Sequence, residues 1–430
     1  MKVKMVDISI DTLLRTEWIF PIFLGVIFLA SLLAKKIRLP YTMVLVGIGI
    51  AVSLIHTSGF GIFNNSKLHV DPKLILYFIV PPLIYEAMMK IDSEQFKTVR
   101  ISSLLLATLG VVLATLVGGF LLSYVAGLPT IVAFAFAALI APTDAAIVIQ
   151  VFKKVKVPRA LAMLMESEAS FNDAVGLIIF SSIIAIAAAQ GSVLGSSGTI
   201  GQINVDIPEQ MVHFAIVFFG GIAVGLGFAV GARFLIKLMD EPLAETALSV
   251  AVLFGSVVVA NSLQFSGLVA AAASGLYFGN LVMKGKGIMS EKTLVYSSNF
   301  WEMIAFFANS VAFLYLGLSM DIQNMGKNLP LIAMAFGMVL AARAASTYPI
   351  LAATHRFTHE KWPSAWRHVV MLGGMRGALS VALVATLPDS NFKNILEPIT
   401  FGVVLSSLII QYPLLARYIK KVFPETVMPQ

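Results

Sequence analysis

Two carboxylates, Asp144 and Asp173, stand near the middle of long apolar runs. An aspartate at such a place costs at least about 2.5–3.5 kcal/mol to insert into a bilayer, so it faces water, a partner or a substrate. Their neighbours are rich in oxygen: Thr143 precedes Asp144, Asn172 precedes Asp173, and Glu168 and Ser170 lie just upstream. Pro142 lacks an amide hydrogen and disrupts the preceding turn, freeing backbone carbonyls. Freed carbonyls, a hydroxyl and two carboxylates are the hard ligands that suit a dehydrated alkali cation. Asp173, close to the centre of its run, is the expected site for such a cation. Glu168 and Asn172 are four residues apart, on one helix face, so the acid is expected to hold the amide while Asp173, about 100° further round, points into a cavity.

Two further charges, Arg343 and Arg376, also fall inside apolar runs. A guanidinium keeps its proton and needs partners there. Glu86 and Glu302 are the expected acids, giving structural ion pairs rather than ligands. Glu166 is shallower and has no assigned role, and His213 reads as an interfacial or packed residue. The histidines show no metal-ligand spacing, and no cofactor is expected beyond the substrate ions.

The elements that must position these residues follow from composition. The chain has 430 residues, 58% hydrophobic and 12% charged, and a mean hydropathy of +0.89. Soluble domains carry about 25% charged residues, so the bilayer is the expected solvent and a soluble enzyme is excluded. Apolar runs lie at about 17–34, 41–56, 74–89, 101–126, 129–152, 160–188, 211–236, 243–263, 265–283, 298–318, 329–353, 366–387 and 395–416. The net charge of +7 comes from clusters in alternate loops, not from a basic face, so nucleic acid is not an expected partner. That alternation predicts a cell-membrane protein with its N-terminus outside and its C-terminus in the cytoplasm. The absence of cysteine excludes thiolate metal sites and disulfides. No removable signal peptide and no cytoplasmic regulatory domain are expected.

With this orientation, runs one and eight point in opposite directions. If the helix at 211–236 is a linker, 17–188 and 243–416 form two inverted six-helix repeats, as in many secondary transporters. Their fifth members carry Ala141-Pro142-Thr143-Asp144 and Gly373-Gly374-Met375-Arg376-Gly377 at mid-run. Interruptions at corresponding places in two halves point to a midplane ion site. The fold class is therefore an all-α membrane protein with 13 transmembrane helices, the fifth and twelfth broken and crossing.

APTD, ESEASFNDAVGL at 166–177 and GGMRGALS at 373–380, together with LAKKIRLPY, PPLIYEA, FWEMIAFFANSVAFLYLGL and AARAASTYP, resemble the NhaP-type sodium/proton antiporters of the cation:proton antiporter superfamily. The resemblance spans nearly the whole chain. It implies a homodimer, an elevator-like movement, and ion binding by Asp173, Asp144, Thr143 and Asn172, with Glu168 anchoring the Asn and Glu86 paired with Arg376. Relatives have Ser directly after this Glu; here Ala169 stands there and Ser170 follows. Asn before the carboxylate is similar to the electroneutral branch, which implies 1:1 exchange of Na+ or Li+ for a proton by alternating access, with competition at Asp173. A K+/H+ antiporter and a sodium-coupled symporter of an organic anion are the alternative readings.

The topology has a direct test. Lysine-directed labelling from outside sealed right-side-out vesicles is expected to miss Lys153, Lys154, Lys156, Lys284, Lys286, Lys420 and Lys421. Labelling of those residues from outside overturns the orientation.

Overall fold

A hydrocarbon environment leaves backbone amides and carbonyls no partners but each other, which favours continuous helices. The computed structural model describes residues 10–37, 39–57, 75–91, 93–152, 155, 157–189, 207–238, 241–283, 289–320, 322–387 and 390–424. Among them the regular structure is helical, with no β-strand, and each of the thirteen expected apolar runs carries helix. Six helical stretches are individually long and apolar enough to cross a membrane. Large apolar side chains such as Leu109, Phe120, Phe219, Phe234 and Val258 point outward, the surface a lipid-solvated protein presents.

The helices form two units. The first comprises residues 1–68 and 313–319, with α1 (Ile10–Ile37) and α2 (Tyr41–Thr57). The second comprises 69–312 and 320–430. It holds α3 (Val80–Lys90), α4 (Arg100–Tyr124), α5 (Thr130–Ile140), α6 (Ala145–Phe152), α7 (Arg159–Ala189), α8 (Ile207–Ile236), α9 (Pro242–Ser262) and α10 (Gly267–Met283). It continues with most of α11 (Glu291–Leu318), then α12 (Leu329–Phe357), α13 (Ser364–Leu372), α14 (Ala378–Ala385) and α15 (Asn391–Val422).

Several helices outlast their apolar runs. Helix α11 begins at Glu291, ahead of the run expected from 298, because Ser290 caps it through the Thr293 amide and the polar turn that follows remains helical. The expected fifth and twelfth helices are each two pieces, α5 with α6 and α13 with α14, interrupted at 141–144 and 373–377. Proline explains the first interruption and consecutive glycines the second. The segment at 190–206 and the lysines at 153, 154, 156, 284 and 286 lie outside the described residues, as does the side chain of His213.

Packing fixes the second unit from two sides. Tyr85 on α3 stacks near Trp301 on α11, with ring centroids 4.6 Å apart, within a buried cluster that includes Leu253 and Phe278. On the other side, the first amides of α4 are orphan donors. Glu360, from the loop after α12, accepts from the amides of Ile101 at 2.8 Å and Ser102 at 2.9 Å, and from the Ser102 hydroxyl. Trp362 Nε1 donates to Ser102 Oγ at 2.6 Å. A carboxylate also complements the positive end of the helix dipole.

Glu360→Ala removes the acceptor for several buried donors and is expected to cost about 1–3 kcal/mol. Thermal unfolding of the purified protein in detergent checks this: its midpoint should fall, and Glu360→Gln should recover part of the loss.

Candidate functional site

The interrupted segments meet. The Asp144 amide, at the end of the first interruption, donates to the Met375 carbonyl in the second at 2.8 Å. Arg376 reaches back across the junction, and its Nη1 donates to the carbonyls of Ala141 at 2.8 Å and Pro142 at 3.2 Å. Ser380 Oγ donates to the Leu139 carbonyl at 2.8 Å. The carbonyls freed by the proline are thus held largely by donors from the opposite broken helix. Close approach requires missing side chains: a Cβ on Gly377 would lie 2.6 Å from Asp144 Cβ and Oδ2, and one on Gly176 would overlap the Pro142 ring.

Helix α7 lies against this junction. Asn172 is fully buried; its Nδ2 donates to Thr143 Oγ1 at 2.9 Å, and its Oδ1 accepts from the Thr143 amide at 3.3 Å. One amide side chain therefore ties α7 to the backbone and side chain of the first interruption. Asp173, the next residue, turns away from that clamp. Among the described residues it has no protein hydrogen-bond partner, and it lines a cavity of about 450 Å³ with Thr143, Asp144, Ser170 and Asn309. Ser170 lies on the wall, donating its hydroxyl hydrogen to the Glu166 carbonyl at 2.8 Å, while Ala169 lines the cavity without a polar atom.

The partners of the buried charges differ from the sequence expectation. Glu168 takes a bidentate guanidinium: Arg343 Nη1 and Nη2 donate to its two oxygens at 2.6 and 2.9 Å. Glu168 is 0% exposed and Arg343 4%, so this is a buried fork-to-fork pair of the kind arginine favours. Glu168 holds Arg343 of α12 rather than the Asn172 amide, which one turn further along the same face of α7 is taken by Thr143 at the interruption. Arg376 holds backbone carbonyls, and among the described residues it forms no ion pair with Glu86, which is instead paired with Lys90 one turn along α3. Glu302 is exposed on α11 and lines the same cavity as Glu86, Lys90 and Glu166. Arginine spacing in sequence carried no signal for these choices, because the partners lie 175 to 235 residues away.

An all-helical chain with two helices interrupted inside its apolar part, and an ionisable group in a cavity at the interruptions, is a multi-pass membrane protein of the secondary-transporter class. The chain belongs to the transmembrane sodium/hydrogen exchanger family, whose profile matches residues 24–421. It is 30% identical over 400 residues to the Na(+)/H(+) antiporter ApNhaP of Aphanothece halophytica, covering 91% of this chain and 71% of that one. It is 31% identical over 397 residues to the Na(+)/H(+) antiporter NhaG of Bacillus atrophaeus, covering 90% and 72%. The fold is similar to that of the sodium proton antiporter MjNhaP1 from Methanocaldococcus jannaschii, with a TM-score of 0.72 at 20% identity, covering 94% of this chain and 99% of that one.

The buried pair predicts a specific pattern of stability. Arg343→Met leaves Glu168 charged and unpaired, at a cost of about 3–5 kcal/mol, whereas Arg343→Met combined with Glu168→Leu removes both charges and should recover most of it. Folded yield by size-exclusion chromatography and the melting temperature check this. A double variant no better than the single one contradicts it.

Proposed function

We propose that the protein exchanges Na+ or Li+ for a proton across the cell membrane, one for one, by letting the two compete for Asp173. The observation that carries this reading is the contrast between neighbouring residues. Asn172 clamps the interruption through one donated and one accepted hydrogen bond, while Asp173, which has no protein hydrogen-bond partner among the described residues, presents its carboxylate to the cavity. One carboxylate that binds a cation when ionised, and none when protonated, couples two opposed fluxes without a second carrier. Asp144, Thr143 and Ser170 supply further oxygens on the same wall. Membership of the sodium/hydrogen exchanger family, and the Na(+)/H(+) antiporters among its relatives, support the choice of ions.

Alternating access follows from where the site sits. Asp173 and Asn172 on α7, Thr143 and Asp144 at one interruption and Gly377 at the other form one joined body. Moving that body as a piece carries the ion without exposing the interrupted backbone to lipid. Two inverted repeats, 17–188 and 243–416 about a linker at 211–236, a homodimer, and an outward N-terminus with a cytoplasmic C-terminus complete the proposal. Asn at 172, rather than a second titratable acid, supports electroneutral exchange.

In proteoliposomes, Asp173→Asn should abolish Na+-driven proton movement in both directions while the protein remains folded, and Asp144→Asn should weaken it. Apparent Na+ affinity in the unaltered protein should fall about tenfold per pH unit below the site's effective pKa, because protons and cation compete for one group. Clamping the membrane potential with valinomycin and potassium should leave the initial rate unchanged. A rate that rises several-fold with applied potential, or exchange that persists in folded Asp173→Asn, excludes the single-carboxylate scheme.

A further inference from the structure

The cavity that ends at Asp173 has a second polar tier that binding at Asp173 does not require. Three helices line it with stripes one turn apart: Leu83, Ala87 and Lys90 on α3, Glu166, Ser170 and Asp173 on α7, and Glu302, Phe306 and Asn309 on α11. Asp173 and Asn309 lie at the deep ends of their stripes. Glu166 and Glu302 lie seven residues earlier, about 10 Å along each helix axis, and α3 ends beside them at Lys90. Lys90 and Glu302 are exposed, Glu166, Asp173 and Asn309 are half-buried, and Thr143 and Ser170 are buried.

This outer tier holds a cation already. The Lys90 ammonium is paired with Glu86, one helical turn further in. Glu302 and Glu166 are its next electrostatic neighbours. The Lys90 side chain retains 41% exposure while that of Glu86 retains 11%, so the ammonium stands on the mouth side of a buried carboxylate. A monovalent cation reaching Asp173 through the end of the cavity lined by Lys90 would meet an ammonium of its own charge, bound to the buried Glu86.

We propose that Lys90 is an affinity-setting residue for the exchange, a tethered cation that occupies Glu86 and competes with the incoming ion for the outer tier. The inference rests on the proposed cation/proton exchange at Asp173. Lys90 touches neither Asp173 nor the helix interruptions; it acts through the charge it places beside the route. While the ammonium sits on Glu86 it lowers the local cation concentration, and each incoming ion displaces it or passes against its repulsion. The tether weakens apparent affinity without changing how many ions move per cycle.

The test measures initial rates of NaCl-driven proton movement in proteoliposomes of the purified protein at one fixed pH. Lys90→Met and Lys90→Gln remove the charge and should lower KM for Na+ by about threefold to tenfold, while Lys90→Arg should keep the original value. The gap between Lys90→Met and the unaltered protein should narrow when choline chloride raises the ionic strength, since the effect is electrostatic. A purely structural lysine would move melting temperature and maximal rate but not this salt-dependent KM difference. KM that is unchanged or higher in both folded neutral variants overturns the role of Lys90 alone. Absence of Na+-dependent proton movement in the unaltered protein overturns the exchange reading and this inference with it.

Discussion

A helix interrupted inside hydrocarbon exposes backbone amides and carbonyls that neither lipid nor its own chain can satisfy. Everything around the site follows from how this protein meets that constraint. Each interruption is completed by the other: the Asp144 amide bonds the Met375 carbonyl, Arg376 bonds the Ala141 and Pro142 carbonyls, and Ser380 bonds the Leu139 carbonyl. Because these donors come from the opposite segment, the interruptions are stable only as a pair. A polar pocket can then exist where a lone broken helix would be too costly.

The same crossing explains the division of labour among the charges. The guanidinium of Arg376 is taken up by backbone carbonyls, so it stabilises the junction. Arg343 and Glu168 neutralise each other in a dry, bidentate contact that fixes α7 against α12. Breaking a pair of that kind is costly, and forming it gains less, because both ions lose their hydration. Its contribution lies in placement: with α7 fixed, Asn172 reaches the interruption and Asp173 reaches the cavity. Neighbouring residues thereby take different places, Asn172 hydrogen-bonded to the interruption and Asp173 on the cavity wall.

The cavity itself has two polar tiers. The deep tier is built of oxygens from α7 and the first interruption; the outer tier is built of three acids and an ammonium from α3, α7 and α11. The fold supplies both tiers from the same helices, because side chains three, four and seven residues apart share one face. A carboxylate two turns from Asp173 thus shares its face, and Glu166, which had no role on sequence grounds, lines the same cavity.

Periodicity and composition alone determined the solvent, the helical class, the apolar runs and the two interruptions, because length and hydropathy of a membrane helix are set locally by the bilayer. They also singled out Asp173, Asn172, Thr143 and Asp144, since a polar group in an apolar run is conspicuous without knowing its neighbours. Glu360 gave no such signal: it sits in a polar loop, and only the fold brings it to the amides of Ile101 and Ser102. The pairings of Glu168, Arg343 and Arg376 were decided by tertiary structure, whereas Glu86 took its local neighbour Lys90. Glu168 took Arg343 rather than Asn172, and Arg376 took carbonyls rather than Glu86. Which partner each of these two arginines meets depends on how helices pack across 175 or more residues of chain. One-dimensional spacing encodes the faces of a helix, but not which other helix each face will meet.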